Sequence, residues 1–214
     1  MNSEELSSEI ELLIQYSRQY YSRAWMYATA GNLSIIDREK GEVWITASGR
    51  NKSCLTKEDF LPVSLISGFK VSETTLRPSA ETSLHRVIYS EVQEAGSVLH
   101  VHTPASAAFY IHLDREHPQD LFVLPNIEML KAFGDFRENP DFRVLCLYNY
   151  GKVEDIAEKL STFIKSYPLE VPFFLIENHG ITVWGKNAEE ANKHLEAAEH
   201  ILQVISLRRG NLDF

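Results

Sequence analysis

Two histidines separated by one residue, His100 and His102, have the spacing in this 214-residue sequence that most directly suggests chemistry. They lie in a short β-branched run, residues 97–102, that ends at Thr103 and Pro104 and that we predict to be a strand. Residues i and i+2 of a strand point to the same face, so the two imidazoles project side by side, roughly 7 Å apart at Cα. Such a pair can converge on one metal ion, but it can equally be a chance pair on a strand.

A third ligand is needed before a metal site is favoured over a chance pair. The best candidate is His179, in an Asn-His-Gly turn between two apolar runs, 171–176 and 181–184, that we predict to be strands. Turns at strand ends often carry site residues, although these three residues could also form an ordinary tight turn. Three histidines with an open fourth position are typical of catalytic zinc. His85 stays unassigned, and we interpret four others as surface or packing residues: His112, His117, His194 and His200.

Two carboxylates, Glu81 and Glu128, could supply acid–base chemistry beside such a metal. The alternatives are a helix N-terminal acid favoured by the helix dipole for Glu81 and a solvated helix face for Glu128. Three predicted turns offer N–H and O–H donors that can hold a phosphate. These turns contain Gly31 and Asn32, Ser48 and Gly49, and Pro78 and Ser79. Each turn alone is a weak signal, because none matches a Walker loop or a dinucleotide-binding fingerprint.

The elements that must position these residues alternate between helices and strands. Apolar residues at helical spacing predict a first helix over 3–22, with Asn2 and Glu5 at capping-box spacing, and a last helix over 188–207. A helix over about 81–94, with Ser79 as its N-cap, is predicted between the strands at 42–46 and 97–102. Strands interleaved with helices indicate an α/β fold.

Composition limits the classes of protein that this sequence can encode. With 44% hydrophobic and 24% charged residues and no linker or repeat, residues 1–214 are predicted to form a single domain. No apolar run approaches 18 residues, and the acidic first residues do not resemble a signal peptide, so we expect a soluble, cytoplasmic protein with no membrane partner. Two cysteines are too few for a disulfide scaffold. The formal charge of −9 disfavours binding to nucleic acid.

In combination, these segments resemble the class II aldolase and adducin family over about residues 20–204. The motifs that carry the resemblance, in order, are Ala-Gly-Asn-Leu-Ser at 30–34, Thr-Ala-Ser-Gly-Arg-Asn-Lys at 46–52, Arg-Pro-Ser-Ala-Glu-Thr at 77–82, His-Val-His at 100–102, Glu-Met-Leu-Lys at 128–131 and Asn-His-Gly at 178–180. Their order and separations are more specific than any one motif. A glutamate 19 residues before a His-x-His pair, followed later by Asn-His-Gly, is typical of this family.

The resemblance implies a fold, a cofactor and a set of site residues. The fold would be a single-domain class II aldolase-like α/β fold, with a central, mainly antiparallel β-sheet flanked by helices. One Zn²⁺ per subunit would be held by His100, His102 and His179, with Glu128 and Glu81 as acid–base residues. The phosphate of a small sugar-phosphate substrate would be held by Gly31, Asn32, Ser48, Gly49 and Ser79, assisted by Lys52. Members commonly form homo-oligomers, so we expect a homotetramer.

Three runs favour the dehydratases of the family: Ser-Gly-x-x-Lys, Pro-Ser-Ala-Glu-Thr and Glu-Met-Leu-Lys. These lyases convert 5-methylthioribulose 1-phosphate to 2,3-diketo-5-methylthiopentyl 1-phosphate in methionine salvage. One alternative is a sugar-phosphate aldolase or epimerase, acting on fuculose or rhamnulose 1-phosphate or on ribulose 5-phosphate. Another is a non-catalytic adducin-like interaction module, whose signature would be loss of the metal-ligand histidines. All three histidines are present, so the sequence favours an enzyme.

Overall fold

The computed structural model describes residues 1–109 and 111–210. Within these ranges the helices are α1 (Ser3–Ser22), α2 (Thr82–Glu91), α3 (Pro104–Ala108), α4 (Val153–Ser166) and α5 (Ala188–Gly210). The strands are β1 (Asn32–Asp37), β2 (Glu42–Thr46), β3 (Phe60–Ser64), β4 (Ser97–Val101), β5 (Gln119–Val123), β6 (Arg143–Leu147), β7 (Phe173–Ile176) and β8 (Gly180–Gly185).

All eight of these strands form one sheet in the order β3-β2-β1-β4-β8-β7-β6-β5. Neighbouring strands are antiparallel except β6 and β7, which are parallel. The predicted α/β fold with a central, mainly antiparallel sheet flanked by helices is therefore confirmed. The order places β4 and β8, which border the His-x-His pair and His179, next to each other in the middle of the sheet.

Helices cover both faces of the sheet, and alternation along each strand decides which layer a residue meets. The face under α1 and α5 buries residues such as Leu33, Leu99 and Val183. The opposite face, under α2 and α4, buries residues such as Ile36, Val98 and Trp184. Full burial of a large apolar side chain stabilises the fold by roughly 1.5–3 kcal/mol. Because Asn32 and Ser34 alternate with Leu33 on β1, these two polar residues face the α2 layer inside the protein.

Local signals set the first helix as predicted. The Asn2 side chain accepts hydrogen bonds from the N–H groups of Glu4 and Glu5, and the Glu5 carboxylate accepts one from the Asn2 N–H at 3.1 Å. These bonds satisfy donors that the first turn of a helix leaves unpaired.

The predicted N-cap of the helix at 81–94 is wrong, however. Helix α2 has Glu81 at its N-cap position, and the Ser79 hydroxyl instead accepts a hydrogen bond from the Glu81 N–H at 3.3 Å, in the turn before the helix.

None of the helices described in residues 1–109 and 111–210 combines the length and the apolar character needed to cross a bilayer.

Candidate metal centre

The candidate site lies where the end of β4 meets the start of β8. Val101 and Ile181 are paired across these antiparallel strands, so His102, just after β4, and His179, just before β8, lie at the same end of the sheet. His100 lies within β4 and is fully buried. The N-terminus of α2 approaches from the adjacent layer and brings Glu81 to the three rings.

Four ligand atoms converge at this point, all within 4.8 Å of one another. The Nε2 atom of His102 lies 2.8 Å from Nε2 of His100 and 3.1 Å from Nε2 of His179. Oε1 of Glu81 lies 3.3 Å from Nε2 of His100 and 2.9 Å from Nε2 of His179. Four ligands about 2.0–2.1 Å from a tetrahedral ion are about 3.3–3.4 Å apart, so this donor set fits one divalent cation.

The charge states of the site suit a cation. Burial, reinforced by the neighbouring His100 and His179 rings, lowers the pKa of His102 to about 3, so its imidazole is neutral and has a lone pair available at pH 7. Burial alone would raise the pKa of Glu81, but the His100 and His179 rings outweigh it and hold that pKa well below its usual range. An ionised carboxylate beside the neutral His102 imidazole and two further imidazole nitrogens is a chemically competent set of zinc ligands.

Two buried polar side chains hold these groups in place, and neither contact was identified from the sequence. The Asn32 amide donates a hydrogen bond to Oε2 of Glu81, and the Thr182 hydroxyl lies 2.8 Å from Nδ1 of His100. Asn32 and Thr182 lie opposite His100 on β1 and β8. These contacts depend on strand register, and register requires the order of the strands, which no local pattern in the sequence specifies.

The three turns predicted to hold phosphate are connected to the site by backbone contacts. Gly31 lies next to the His100 carbonyl, and Ala47 pairs with Pro78 in an isolated bridge that places the turn of Ser48 and Gly49 beside that of Ser79. A pocket of 380 Å³ at this junction is lined by Ser48, Gly49, Arg50, Thr75, Leu76 and Arg77. The Ser48 N–H donates to the Arg77 carbonyl at 2.8 Å, so that N–H group is already engaged.

Lys52 is buried in the same region. Its ammonium donates to the carbonyls of Thr29 at 2.9 Å and Arg50 at 3.0 Å, which leaves one of three donors for another acceptor. Burial lowers the pKa of Lys52 to about 8, although the charges of Asp59 and Glu81 oppose that shift. The side chain is therefore a cation at pH 7 and becomes neutral in mildly alkaline solution.

Glu128 lies apart from the four converging ligand atoms. It begins a short 3₁₀ helix, its side chain is 83% exposed, and its carboxylate accepts a hydrogen bond from the Lys131 ammonium at 2.8 Å. The structure thus brings Glu81, but not Glu128, into the cluster with the three histidines. The acid–base role of Glu128 stays a prediction.

The other histidines lie outside the cluster. His85 is fully buried on α2, and its Nδ1 lies 2.6 Å from the Ser34 hydroxyl, which in turn lies 2.7 Å from the Tyr89 hydroxyl. His194 packs in the core with Nδ1 2.8 Å from the Trp184 carbonyl oxygen. The side chains of His112, His117 and His200 are exposed, as expected for surface residues.

Gly31 offers a prediction that concerns the geometry of the site. Its φ is +77°, and a Cβ added there would lie 2.8 Å from the His100 carbonyl oxygen and 2.6 Å from Cε of Met26. Gly41 has a similar φ of +66° but open space around it.

An L-residue at such a φ loses about 1–2 kcal/mol, and crowding a packed site costs about 1–3 kcal/mol more. We expect Gly31→Ala to lower the free energy of unfolding by more than Gly41→Ala does, as measured in urea. Equal losses would show that the His100 carbonyl does not restrict this position.

The sequence of this chain is similar to a known protein family and to named members of that family. Residues 11–206 match the family described as the class II aldolase and adducin N-terminal domain. A protein named methylthioribulose-1-phosphate dehydratase from Leptospira biflexa is 43% identical over 206 residues, which cover 94% of this chain and 98% of that protein. One of the same name from Leptospira interrogans is 42% identical over 207 residues, covering 94% of this chain and 83% of that protein.

A solved structure shows the same fold. L-fuculose-1-phosphate aldolase from Thermus thermophilus superposes with a TM-score of 0.73 at 22% identity, covering 97% of this chain and 98% of that one. At that identity the likeness concerns the fold alone. The family match, however, spans most of the sequence, including all the converging ligands. The chain therefore belongs to the class II aldolase and adducin family.

Proposed function

We propose that this protein is a metal-dependent hydro-lyase that removes water from 5-methylthioribulose 1-phosphate, a reaction of methionine salvage. The convergence of His100, His102, His179 and Glu81 on one point is the observation that carries the proposal, because a divalent cation held there would act as a Lewis acid on the substrate ketone. The choice of substrate is supported by relatives that are 42–43% identical and bear the name of this dehydratase.

The reaction takes a proton from the carbon beside a ketone and expels a hydroxyl group from the next carbon. The bonding pair of that C–H bond forms the new double bond, and the hydroxyl leaves as water once it is protonated. The resulting enol tautomerises to the diketone, so atoms balance with no further reactant. When bound, a divalent cation stabilises charge that develops on the ketone oxygen, which contributes several kcal/mol.

The residues of this chain supply positioning and proton transfer. His100, His102 and His179 would hold the cation, and the ionised Glu81 is the carboxylate beside it. We infer from the family resemblance that Glu128 works with Glu81 in acid–base chemistry at the carbon and at the leaving hydroxyl. A positioned acid or base of this kind accelerates such a step by about 10²–10⁴-fold.

The phosphate would bind at the turns that approach the site. Donors of Gly31, Asn32, Ser48, Gly49 and Ser79 would hold it, with Ser48 contributing its hydroxyl because its N–H is engaged by the Arg77 carbonyl, and Lys52 would supply a positive charge. Binding a phosphate away from the reacting carbons orients the substrate and provides free energy that can be used in the transition state. The open pocket of 380 Å³ beside Ser48 and Gly49 supports this placement.

Two substrate classes distinguish this activity from the aldolase alternative. Purified protein is incubated separately with 5-methylthioribulose 1-phosphate and with fuculose or rhamnulose 1-phosphate, and the products are followed as diketone or lactaldehyde. We expect diketone from the first substrate and no aldehyde from the others. Lactaldehyde without diketone would replace the dehydratase by an aldolase, and no product from any substrate would favour an interaction module.

We also propose that the native cation is Zn²⁺, one per subunit. Three imidazoles and an open or exchangeable fourth position favour zinc, but the same ligands accept Fe²⁺, Mn²⁺ and Co²⁺. Metal analysis of the protein as purified, followed by chelation and reconstitution with each ion, identifies it. Zinc near one equivalent, with activity restored by zinc, is the expected result.

The pKa of Lys52 predicts how substrate binding depends on pH. Because this pKa is lowered to about 8, the ammonium loses its proton as pH rises through that value, whereas an unfolded lysine keeps its proton to about 10.5. A phosphate monoester is already dianionic above its second pKa of about 6, so its charge is constant in this range. We expect KM for the phosphorylated substrate to rise above about pH 8. In Lys52→Met, KM is expected to be high at pH 7 and to show no step near pH 8.

Loss of folding stability does not account for the expected rise in KM, because the contribution of Lys52 to stability changes with pH in the opposite direction. Between about pH 8 and 10.5 the unfolded chain binds more protons at Lys52 than the folded chain, so this residue makes the fold more stable as pH rises. Lys57→Met is the matched control, since Lys57 is half-exposed and forms an ion pair with Glu11 on the surface. A KM step that persists unchanged in Lys52→Met would remove Lys52 from phosphate binding.

Domain organisation, assembly and location complete the proposal. One continuous sheet from β1 to β8 supports a single class II aldolase-like domain over 1–214. We propose a cytoplasmic homotetramer. Association of the chain, though not its number or location, is supported by large apolar side chains on the surface: Ile66, Phe69, Val123 and Phe136. Light scattering coupled to gel filtration measures the assembly directly, and a mass of one chain would contradict it.

A further inference from the structure

A row of three polar residues crosses the middle of the sheet. Asn32 on β1, His100 on β4 and Thr182 on β8 occupy directly opposed positions on neighbouring antiparallel strands. Directly opposed residues point to the same face of a sheet, about 4.5–5.5 Å apart at Cβ. All three are buried, so their polar atoms have to be satisfied by one another or by nearby groups.

The two ring nitrogens of His100 have different surroundings. Nε2 faces the converging ligands, 2.8 Å from Nε2 of His102, while Nδ1 lies 2.8 Å from the Thr182 hydroxyl. A neutral imidazole carries its proton on one nitrogen and a lone pair on the other. For Nε2 to bind a cation, the proton must be on Nδ1, where it is donated to the Thr182 oxygen. The Thr182 hydroxyl can accept that proton, so it satisfies Nδ1 in the tautomer that acts as a ligand and holds the ring with Nε2 toward the cluster.

We propose that Thr182 is a positioning residue that fixes the ring orientation of His100, accepts the Nδ1 proton when Nε2 is a ligand, and thereby strengthens metal binding. This inference rests on the proposed metal-dependent function. Threonine suits the role because its β-branched side chain has restricted χ1 freedom, so the hydroxyl is held in place before a metal binds. By contrast, the Nδ1 atom of His179 is buried without a hydrogen-bond partner in the described part of the chain. Ring orientation by a hydroxyl is thus a specific feature of His100 and does not extend to His179.

Metal affinity of the full-length protein tests the role without relying on turnover. The dissociation constants for Zn²⁺ and Co²⁺ are measured by competition with a chelator for wild type, Thr182→Val and Thr182→Ser. Thr182→Val keeps the shape and removes the hydroxyl, so we expect about 10–100-fold weaker binding, the usual effect of losing such an outer partner of a metal ligand. Thr182→Ser keeps the hydroxyl and is expected to bind within a few-fold of wild type. Thr182→Ala removes the same hydroxyl and replaces the valine variant if that one does not fold.

Thr46→Val is the matched control for removing a buried threonine hydroxyl. Thr46 is fully buried, and its hydroxyl accepts a hydrogen bond from the Leu33 N–H at 3.2 Å, outside the ligand cluster. We expect this variant to lose stability and to keep its metal affinity. If Thr182→Val binds metal as wild type does, the inference is overturned while the proposed function stands. If wild type itself binds neither ion, the metal-dependent function and the role of Thr182 both fail.

Discussion

Replacing His100 and His102 together by alanine is expected to remove the bound cation and to lower turnover by about 10³-fold or more. The double change deletes two of the three imidazoles, including His102, whose Nε2 lies 2.8 Å from that of His100 and 3.1 Å from that of His179. Glu81 and His179 alone cannot complete a tetrahedral site. On the proposed function, a bound cation would contribute several kcal/mol by stabilising charge on the ketone oxygen, and each 1.36 kcal/mol corresponds to a factor of ten in rate. Metal content per chain and kcat, measured on the same preparation, give the result.

A second double variant separates loss of the site from loss of histidine in general. His117 and His200 are exposed and lie outside the ligand cluster, so His117→Ala with His200→Ala should keep both the metal and the activity. Circular dichroism of both double variants checks that each is folded. Full retention of metal by the variant that lacks His100 and His102 would disprove the proposed site.

Elements whose signals are local were predicted well from the sequence. The capping box of Asn2 and Glu5 fixed the start of α1, and the amphipathic stripe fixed its length, Ser3–Ser22. The stripe of small and apolar residues on α5 is buried as expected, from Ala188 to Ile205. In each case one helix face carries enough apolar surface to define the element before its neighbours are known.

Elements that depend on distant partners were missed. Strand β5 is an exposed edge strand with only a short apolar run, and the apolar run of β6, residues 144–147, is too short to distinguish a strand from a buried helix segment before its pairing with β5 and β7 is known. Helix α4 was also not predicted, although Ile156, Leu160 and Phe163 form a buried stripe at helical spacing that could have identified it. The displaced start of α2 has a different cause, because the Ser79 hydroxyl bonds the N–H of Glu81, which precedes the helix, and no N–H within α2.

The residues of the candidate site show the same difference between local signals and those that depend on distant partners. Strand alternation was enough to pair His100 with His102. His179 was a candidate from its turn between two apolar runs and was supported by the family resemblance, but its position depends on β4 and β8 being neighbours. The contacts of Asn32 and Thr182 follow from register across three strands, which a single sequence does not contain. Residues that orient ligands are therefore harder to find from sequence than the ligands themselves.

Glu81→Gln is expected to lower kcat by about 10²–10⁴-fold, the usual contribution of a positioned acid or base. Glutamine has the same shape and can still accept the hydrogen bond that the Asn32 amide donates, so the fold around α2 should persist. It cannot take up a proton or carry the negative charge that Oε1 of Glu81 presents 2.9 Å from Nε2 of His179. The pKa of Glu81 is already held well below its usual range by His100 and His179, so this carboxylate is ionised throughout the working pH range. Raising the pH should not restore activity to the variant, because the glutamine amide does not ionise.

Two further glutamine variants test whether the loss of kcat is specific to the Glu81 carboxylate. Glu177 is as buried as Glu81, but its carboxylate accepts a bond from the Leu113 N–H at 3.4 Å outside the cluster, so Glu177→Gln should keep kcat near wild type. Glu128→Gln is expected to lower kcat without weakening Zn²⁺ binding, because Glu128 is exposed and outside the ligand set. Glu81→Gln should lower kcat and also weaken Zn²⁺ binding, since the Glu81 carboxylate belongs to the ligand set. Unchanged turnover in Glu81→Gln would exclude Glu81 from the chemistry, and unchanged turnover in Glu128→Gln would leave Glu81 as the carboxylate that transfers the proton.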